Sequence, residues 1–117
     1  MTPRPAGTTK EIPIDDSPGW VWRLEIEWQF GTDPRLVFTL EKAFRTAEAT
    51  PVASFRDSDG KLADEIMDAG SGEPDELANE IVNRLLRHAF EGPPANVAEA
   101  MSDHIFAWIC EQRVHGE

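Results

Sequence analysis

Residues 20–30 limit the possible folds more than any other part of the chain. Trp20, Trp22, Leu24, Ile26, Trp28 and Phe30 alternate with Val21, Arg23, Glu25, Glu27 and Gln29. Side chains on a strand point to opposite faces in turn, so this period of two gathers six large apolar groups on one face. A helix would scatter them around its circumference. Eleven residues at strand rise span about 36 Å, so a bulge or strong twist is expected in this strand.

Gly31, Thr32, Asp33 and Pro34 supply turn chemistry, and the alternation resumes through Leu36, Phe38, Leu40 and Phe44. The two runs therefore read as an antiparallel pair. Directly opposed residues share a face, so even positions must meet even positions. Pairing Trp28 with Leu36, Ile26 with Phe38 and Leu24 with Leu40 sets Arg23 opposite Glu41. A shift of two residues keeps the apolar match but opposes Glu25 to Glu41. Cross-strand repulsion thus favours the first register. The apolar face, Trp20, Trp22 and Trp28 included, is expected to be core, with Trp20 at the strand end protruding. The alternative is an exposed aromatic platform for bases or sugars, which lacks an accompanying basic groove.

A third strand is expected over Pro51–Arg56, after a softer stretch at residues 46–50. Beyond the Asp57–Gly60 turn the period changes. Leu62, Ile66 and Met67 fit a short helix ending at Gly70. Pro74 sits where a first helical position belongs, followed by Asp75 and Glu76, which the helix dipole favours there. Leu77, Ile81, Leu85 and Ala89, flanked by Ala78, Val82 and Leu86, form a broad apolar stripe that Gly92, Pro93 and Pro94 terminate. Asn96 is placed to cap a last helix burying Val97, Met101, Ile105, Trp108 and Ile109.

Strands precede helices, which predicts an α+β fold: an N-terminal antiparallel sheet of two to four strands packed against two or three C-terminal helices. The 117 residues suit one such domain, over residues 20–117. Residues 1–19 hold four of the nine prolines and read as an extended or disordered arm. Ile12 and Ile14 could lay a short edge strand against the domain.

The chemistry-bearing residues form no recognisable catalytic or metal set. Asp57, Ser58, Asp59 and Gly60 resemble the middle of a calcium loop. In that register Phe55 and Ile66 occupy the end positions that need carboxylates, so an ordinary turn is expected. His88, His104, His115 and Cys110 do not have metal-ligand spacing. His104 and His115 would lie about 16 Å apart along one helix. Ser102, Asp103 and His104 contain the residue types of a hydrolytic triad. Neighbours on a helix diverge by about 100°, so they cannot bond in series. No phosphate-binding loop, dinucleotide fingerprint or nucleophile elbow is present. No metal or other cofactor is expected.

Cys110 is the single cysteine, which rules out an internal disulfide and reads as a packed or half-packed structural residue. The first ten residues hold no apolar run and no stretch is long enough to span a membrane, so a cytoplasmic protein is expected.

Charge is the remaining informative feature. The chain has 22 acids against 11 basic residues, a net charge of −11. Direct binding to nucleic acid or an anionic membrane through a basic surface is therefore disfavoured. The imbalance is concentrated. Asp57, Asp59, Asp64, Glu65, Asp68, Glu73, Asp75, Glu76 and Glu80 face only Lys61 within residues 57–80, a net of −8. Asp64 and Asp68 fall one helical turn apart, a like-charge spacing that costs stability until a partner neutralises it.

This segment is either a solvated, solubilising face or a docking surface for a basic partner protein. The expectation is a small acidic, non-enzymatic binding module, an inhibitor that occupies a basic protein site. Immunity proteins, antitoxins and phage anti-defence proteins share that compositional profile, which is an analogy and not a resemblance in motifs. In one version the carboxylates stand in for nucleic-acid phosphates. A small enzyme or enzyme subunit with a cleft between sheet and helices, using His88 and His104, is the alternative from another class. A secretion or assembly chaperone with an exposed apolar groove is a third.

Overall fold

The computed structural model describes residues 7–14, 19–29, 35–44, 49–57, 61–68, 70, 72–87, 89 and 94–115. Four strands, β1 (Thr8–Pro13), β2 (Trp20–Gln29), β3 (Arg35–Phe44) and β4 (Ala49–Arg56), form one antiparallel sheet in the order β1-β2-β3-β4. Three helices follow: α1 (Lys61–Met67), α2 (Pro74–Arg87) and α3 (Ala95–His115). The protein is therefore an α+β fold, a sheet followed by helices. β1 is the edge strand suggested by Ile12 and Ile14. Ile12 is buried, Ile14 packs against the core, and the Ile14 N–H donates to the Trp20 carbonyl at 3.0 Å.

The β2–β3 register pairs Trp28 with Leu36, Ile26 with Phe38, Leu24 with Leu40 and Arg23 with Glu41, the alignment that charge favours over its two-residue shift. Pairing is continuous from Trp20 to Gln29, so of the bulge or strong twist expected in this strand the β2–β3 ladder contains no bulge. The irregularity falls instead between Leu40 and Glu41 where β3 meets β4. Leu40 opposes Ala53 and Glu41 opposes Pro51, leaving Val52 between them. Pro51, which has no N–H to donate, is accommodated on the outermost strand beside that bulge. β4 also begins at Ala49, two residues before the expected start.

On the outer sheet face, Glu11, Arg23 and Glu41 stand side by side on three successive strands. Arg23 donates through Nε and Nη2 to Glu11 Oε2 at 3.2 and 3.0 Å and lies 3.7 Å from Glu41 Oε2. The hydrogen bond to Glu11 raises the Arg23 pKa above its ordinary value, against the opposing effect of burial. Glu25 pays for this arrangement: burial first, then Glu41 nearby, raise its carboxyl pKa.

The inner face is the core. Trp22, Leu24, Ile26, Leu36, Phe38, Leu40 and Ala53 pack against Leu62, Ala63 and Ile66 of α1, Leu77, Ala78, Ile81, Val82 and Leu85 of α2, and Val97, Met101, Ile105, Trp108 and Ile109 of α3. Phe38 meets the edge of Trp108 at 6.1 Å, with the rings perpendicular. Trp22 is buried, whereas Trp20 is 37% exposed and leans on the 40%-exposed Phe44. The Trp28 side chain lies outside the described residues. Gly19 turns the chain into β2 at φ +88°, and a Cβ there would come within 2.7 Å of the Phe44 ring.

The Glu73 carbonyl accepts from the Leu77 N–H at 3.1 Å, which makes Glu73 the cap residue and Pro74 the first helical residue of α2. The start of α3 differs from expectation. The Pro94 carbonyl accepts from Val97 and Ala98 at 3.0 and 3.1 Å, so Pro94 holds the cap position and Asn96 lies inside the first turn. The helical ladder starts earlier because proline's fixed φ suits a helix entrance and Ala95 continues it. Gly92 and Pro93 of the expected stop, the residue 31–34 turn and most of the residue 57–60 turn lie outside the described residues.

Candidate functional site

The nine carboxylates of residues 57–80 have different environments. Asp57 is only 4% exposed and is part of the scaffold. Its Oδ1 and Oδ2 accept from the Leu62 and Ala63 N–H groups at 3.4 and 3.1 Å, satisfying donors that the first turn of α1 leaves open. Burial takes it out of reach of any partner. Asp59 lies outside the described residues. Glu80 is exposed but engaged, accepting from Arg84 Nη2 at 2.6 Å one turn along α2. Asp68 is exposed and accepts from the Gly70 N–H at 2.9 Å, which shapes the exit from α1. Asp64, Glu65, Glu73, Asp75 and Glu76 are exposed on α1, on the approach to α2 and on its first turn.

Arg113, near the end of α3, holds this region in place. Its Nε donates to the Ile66 carbonyl at 3.0 Å, Nη2 to the Glu65 carbonyl at 3.1 Å and Nη1 to the Gly72 carbonyl at 2.9 Å. One guanidinium thus satisfies carbonyls at the end of α1 and in the loop leading to α2. Sequence reasoning missed it because the partners are 41 to 48 residues away.

The acidic surface also extends further than the local charge count implies. A groove of about 930 Å³ runs between α2 and α3. Asp75, Asn79, Val82, Asn83 and Leu86 line it from α2, and Ala98, Glu99, Ser102, Asp103 and Phe106 from α3, with Glu73 and Pro74 at the start of α2. On each helix these positions recur at three- and four-residue steps, a second stripe beside the one buried in the core. The floor combines Val82, Leu86 and Ala98 with Phe106, which is 41% exposed. Ser102 Oγ donates to Asn79 Oδ1 at 2.6 Å and ties the two helices across it. Glu73, Asp75, Glu99 and Asp103 supply carboxylates, and no Lys, Arg or His is among the described lining residues. Glu99 and Asp103 were missed because the acid-rich stretch of sequence stops at Glu80; their regular spacing on α3 was the available signal.

The residues weighed for catalysis are not brought together. Ser102 is occupied by Asn79, and Asp103 is exposed. His104 is half-buried beside Lys10 and Ala100, and its Nε2 has no hydrogen-bond partner among the described residues. Burial and then Lys10 lower its pKa, while Glu111 pulls the other way. His88 lies outside the described residues, and Cys110 is half-buried. Among the described residues no three His, Cys, Asp or Glu side chains come close enough to share a metal ion, and no helix is long and apolar enough to cross a membrane.

Comparisons with protein families, curated proteins and solved structures find no match. The fold and site themselves define a class: a small α+β protein with an antiparallel sheet, a helical layer on one face, and an acid-rimmed apolar groove between its two longest helices.

Proposed function

We propose that this protein is a non-enzymatic binding module of the cytoplasm that occupies a basic site on a partner protein and thereby inhibits it. The observation that carries the reading is the distribution of carboxylates. Two stretches remote in sequence present acids around one groove, Glu73 and Asp75 from one and Glu99 and Asp103 from the other, and its described lining holds no cation; Asp64, Glu65, Asp68 and Glu76 add exposed carboxylates outside that lining. A surface of one sign speeds encounter with an oppositely charged partner and rejects like-charged ones. The exposed Trp20 and Phe44 make a weaker case for a nucleic-acid platform, since a single lysine, Lys42 at 5.9 Å from the Trp20 ring, is no basic groove to follow a phosphate backbone.

The test is affinity capture from the native host at about 50 and 500 mM salt, with partners identified by mass spectrometry. The expected result is a basic protein retained at low salt and released at high salt. It should be lost from a variant neutralised at Asp64, Glu65, Asp68 and Glu76 (to Asn or Gln), which should remain folded because none of these four is buried. Competition by DNA or RNA would identify the partner's site as one that holds nucleic acid. A partner retained equally by the neutralised variant at both salt concentrations would refute the electrostatic account. Unfolding of that variant would mean that the acids are structural.

A further inference from the structure

We infer that the α2–α3 groove receives a cationic amphipathic helix of the partner, with an apolar stripe on the groove floor and Lys or Arg residues beside the rim. The inference rests on the acidic docking reading above and adds where the partner sits and what it presents. Shape argues for a helix. The groove is walled by two helices, and from Asp75 to Leu86 it follows α2 for about 17 Å, three turns of an α-helix. A third helix laid there would pack side chains between the two ridges, the familiar helix-in-groove arrangement. The floor argues for an apolar stripe, because Phe106 remains 41% exposed where burial would be favourable.

Charge selects the partner. Glu73, Asp75, Glu99 and Asp103 surround the floor, so a neutral apolar helix would strip water from carboxylates without compensation, whereas Lys or Arg at its margins would pair with them. The same rim disfavours a second copy of this chain, which would bring an equally acidic groove and a net charge of −11.

The probe is a designed Leu/Lys amphipathic peptide of about 16 residues, long enough to form a helix on binding. Its affinity is measured by fluorescence anisotropy, and its position by amide chemical-shift changes in the full chain. Controls are a scrambled peptide of equal composition, a Lys-only peptide of equal charge, and spermine. The amphipathic peptide is expected to bind best and to shift amides along Asn79–Leu86 and Glu99–Phe106. Phe106→Ser should weaken it roughly 30-fold, as loss of a buried aromatic anchor does. Glu99→Gln with Asp103→Asn should weaken it about tenfold at 50 mM salt and little at 500 mM. Thermal melts establish that each variant is folded.

Equal binding of the scrambled or Lys-only peptide, insensitive to Phe106→Ser but lost on neutralising Asp64, Glu65, Asp68 and Glu76, would overturn the groove and leave acidic docking standing. Spermine binding as tightly as the helix would reassign the groove to small polycations. Absence of binding by every cationic probe would overturn both readings.

Discussion

Replacing Arg113 with Met keeps most of its apolar stem and removes the guanidinium that joins α3 to α1 and the following loop. Of its three hydrogen bonds, the one to Ile66 is partly buried and those to Glu65 and Gly72 are exposed. A charged donor to a shielded carbonyl contributes about 2 kcal/mol and exposed ones about 0.5 kcal/mol each, so the loss should be roughly 3 kcal/mol. For a chain of this size that is about 12 °C in Tm. Urea unfolding should show a lower midpoint with an unchanged slope. Amide exchange at Ile66 and Met67 should quicken by about two orders of magnitude if α1 opens on its own, while α2 keeps its protection. Arg113→Lys should recover only about 1 kcal/mol, because an ammonium cannot span three carbonyls. A Met variant within about 0.5 kcal/mol of the parent would refute the reasoning, as would full rescue by Lys.

Asp57→Ala should cost about 1–2 kcal/mol by thermal melt, and Asp57→Asn less, with the affinity for the cationic helix unchanged; a loss of affinity without a loss of stability would return Asp57 to the docking surface. His104 makes stability depend on pH with a definite sign. Its folded pKa lies below its ordinary value of 6.5, so the unfolded chain binds the extra proton; the contribution is present above pH 6.5 and is lost as pH falls below it. Urea midpoints at pH 7.5 and 5.5 should therefore fall further for the parent than for His104→Gln, and equal falls would remove His104 from the account. Phe38→Ala, which empties the contact with Trp108 and Phe55, should cost about 4 kcal/mol in urea unfolding, and a cost below 1 kcal/mol would mean that the core is not closed around that ring.

The sheet was readable because its information is local and periodic. The alternation from Trp20 onward defines the faces, and one charge pair, Arg23 with Glu41, selects the register. The stripes of α2 and α3 were readable for the same reason at a period near 3.6. The β3–β4 bulge was not, since a mismatch of one residue leaves no periodic trace over a short strand. The acidic site was half legible. Glu73 and Asp75 stand out in the local charge count, whereas Glu99 and Asp103 join them only because α3 folds back along α2. Asp57 illustrates the opposite failure: in composition it is one more acid, and only burial reveals a cap.

The sheet order β1-β2-β3-β4 follows the order of synthesis, so every strand can pair with its predecessor as soon as both have left the ribosome. The lid does not arrive on that schedule. Met101, Ile105, Trp108 and Ile109, which cover the sheet, lie on the last helix of the sequence. During synthesis the four-stranded sheet therefore waits with its cover incomplete: α1 and α2 supply part of it, but Phe38 still lacks Trp108, a surface prone to capture or aggregation. The acids of residues 57–80, emerging before that helix, give the waiting intermediate a strong like charge that keeps its copies apart, so chains truncated before α3 should accumulate as chaperone-bound material and turn insoluble only when those acids are neutralised.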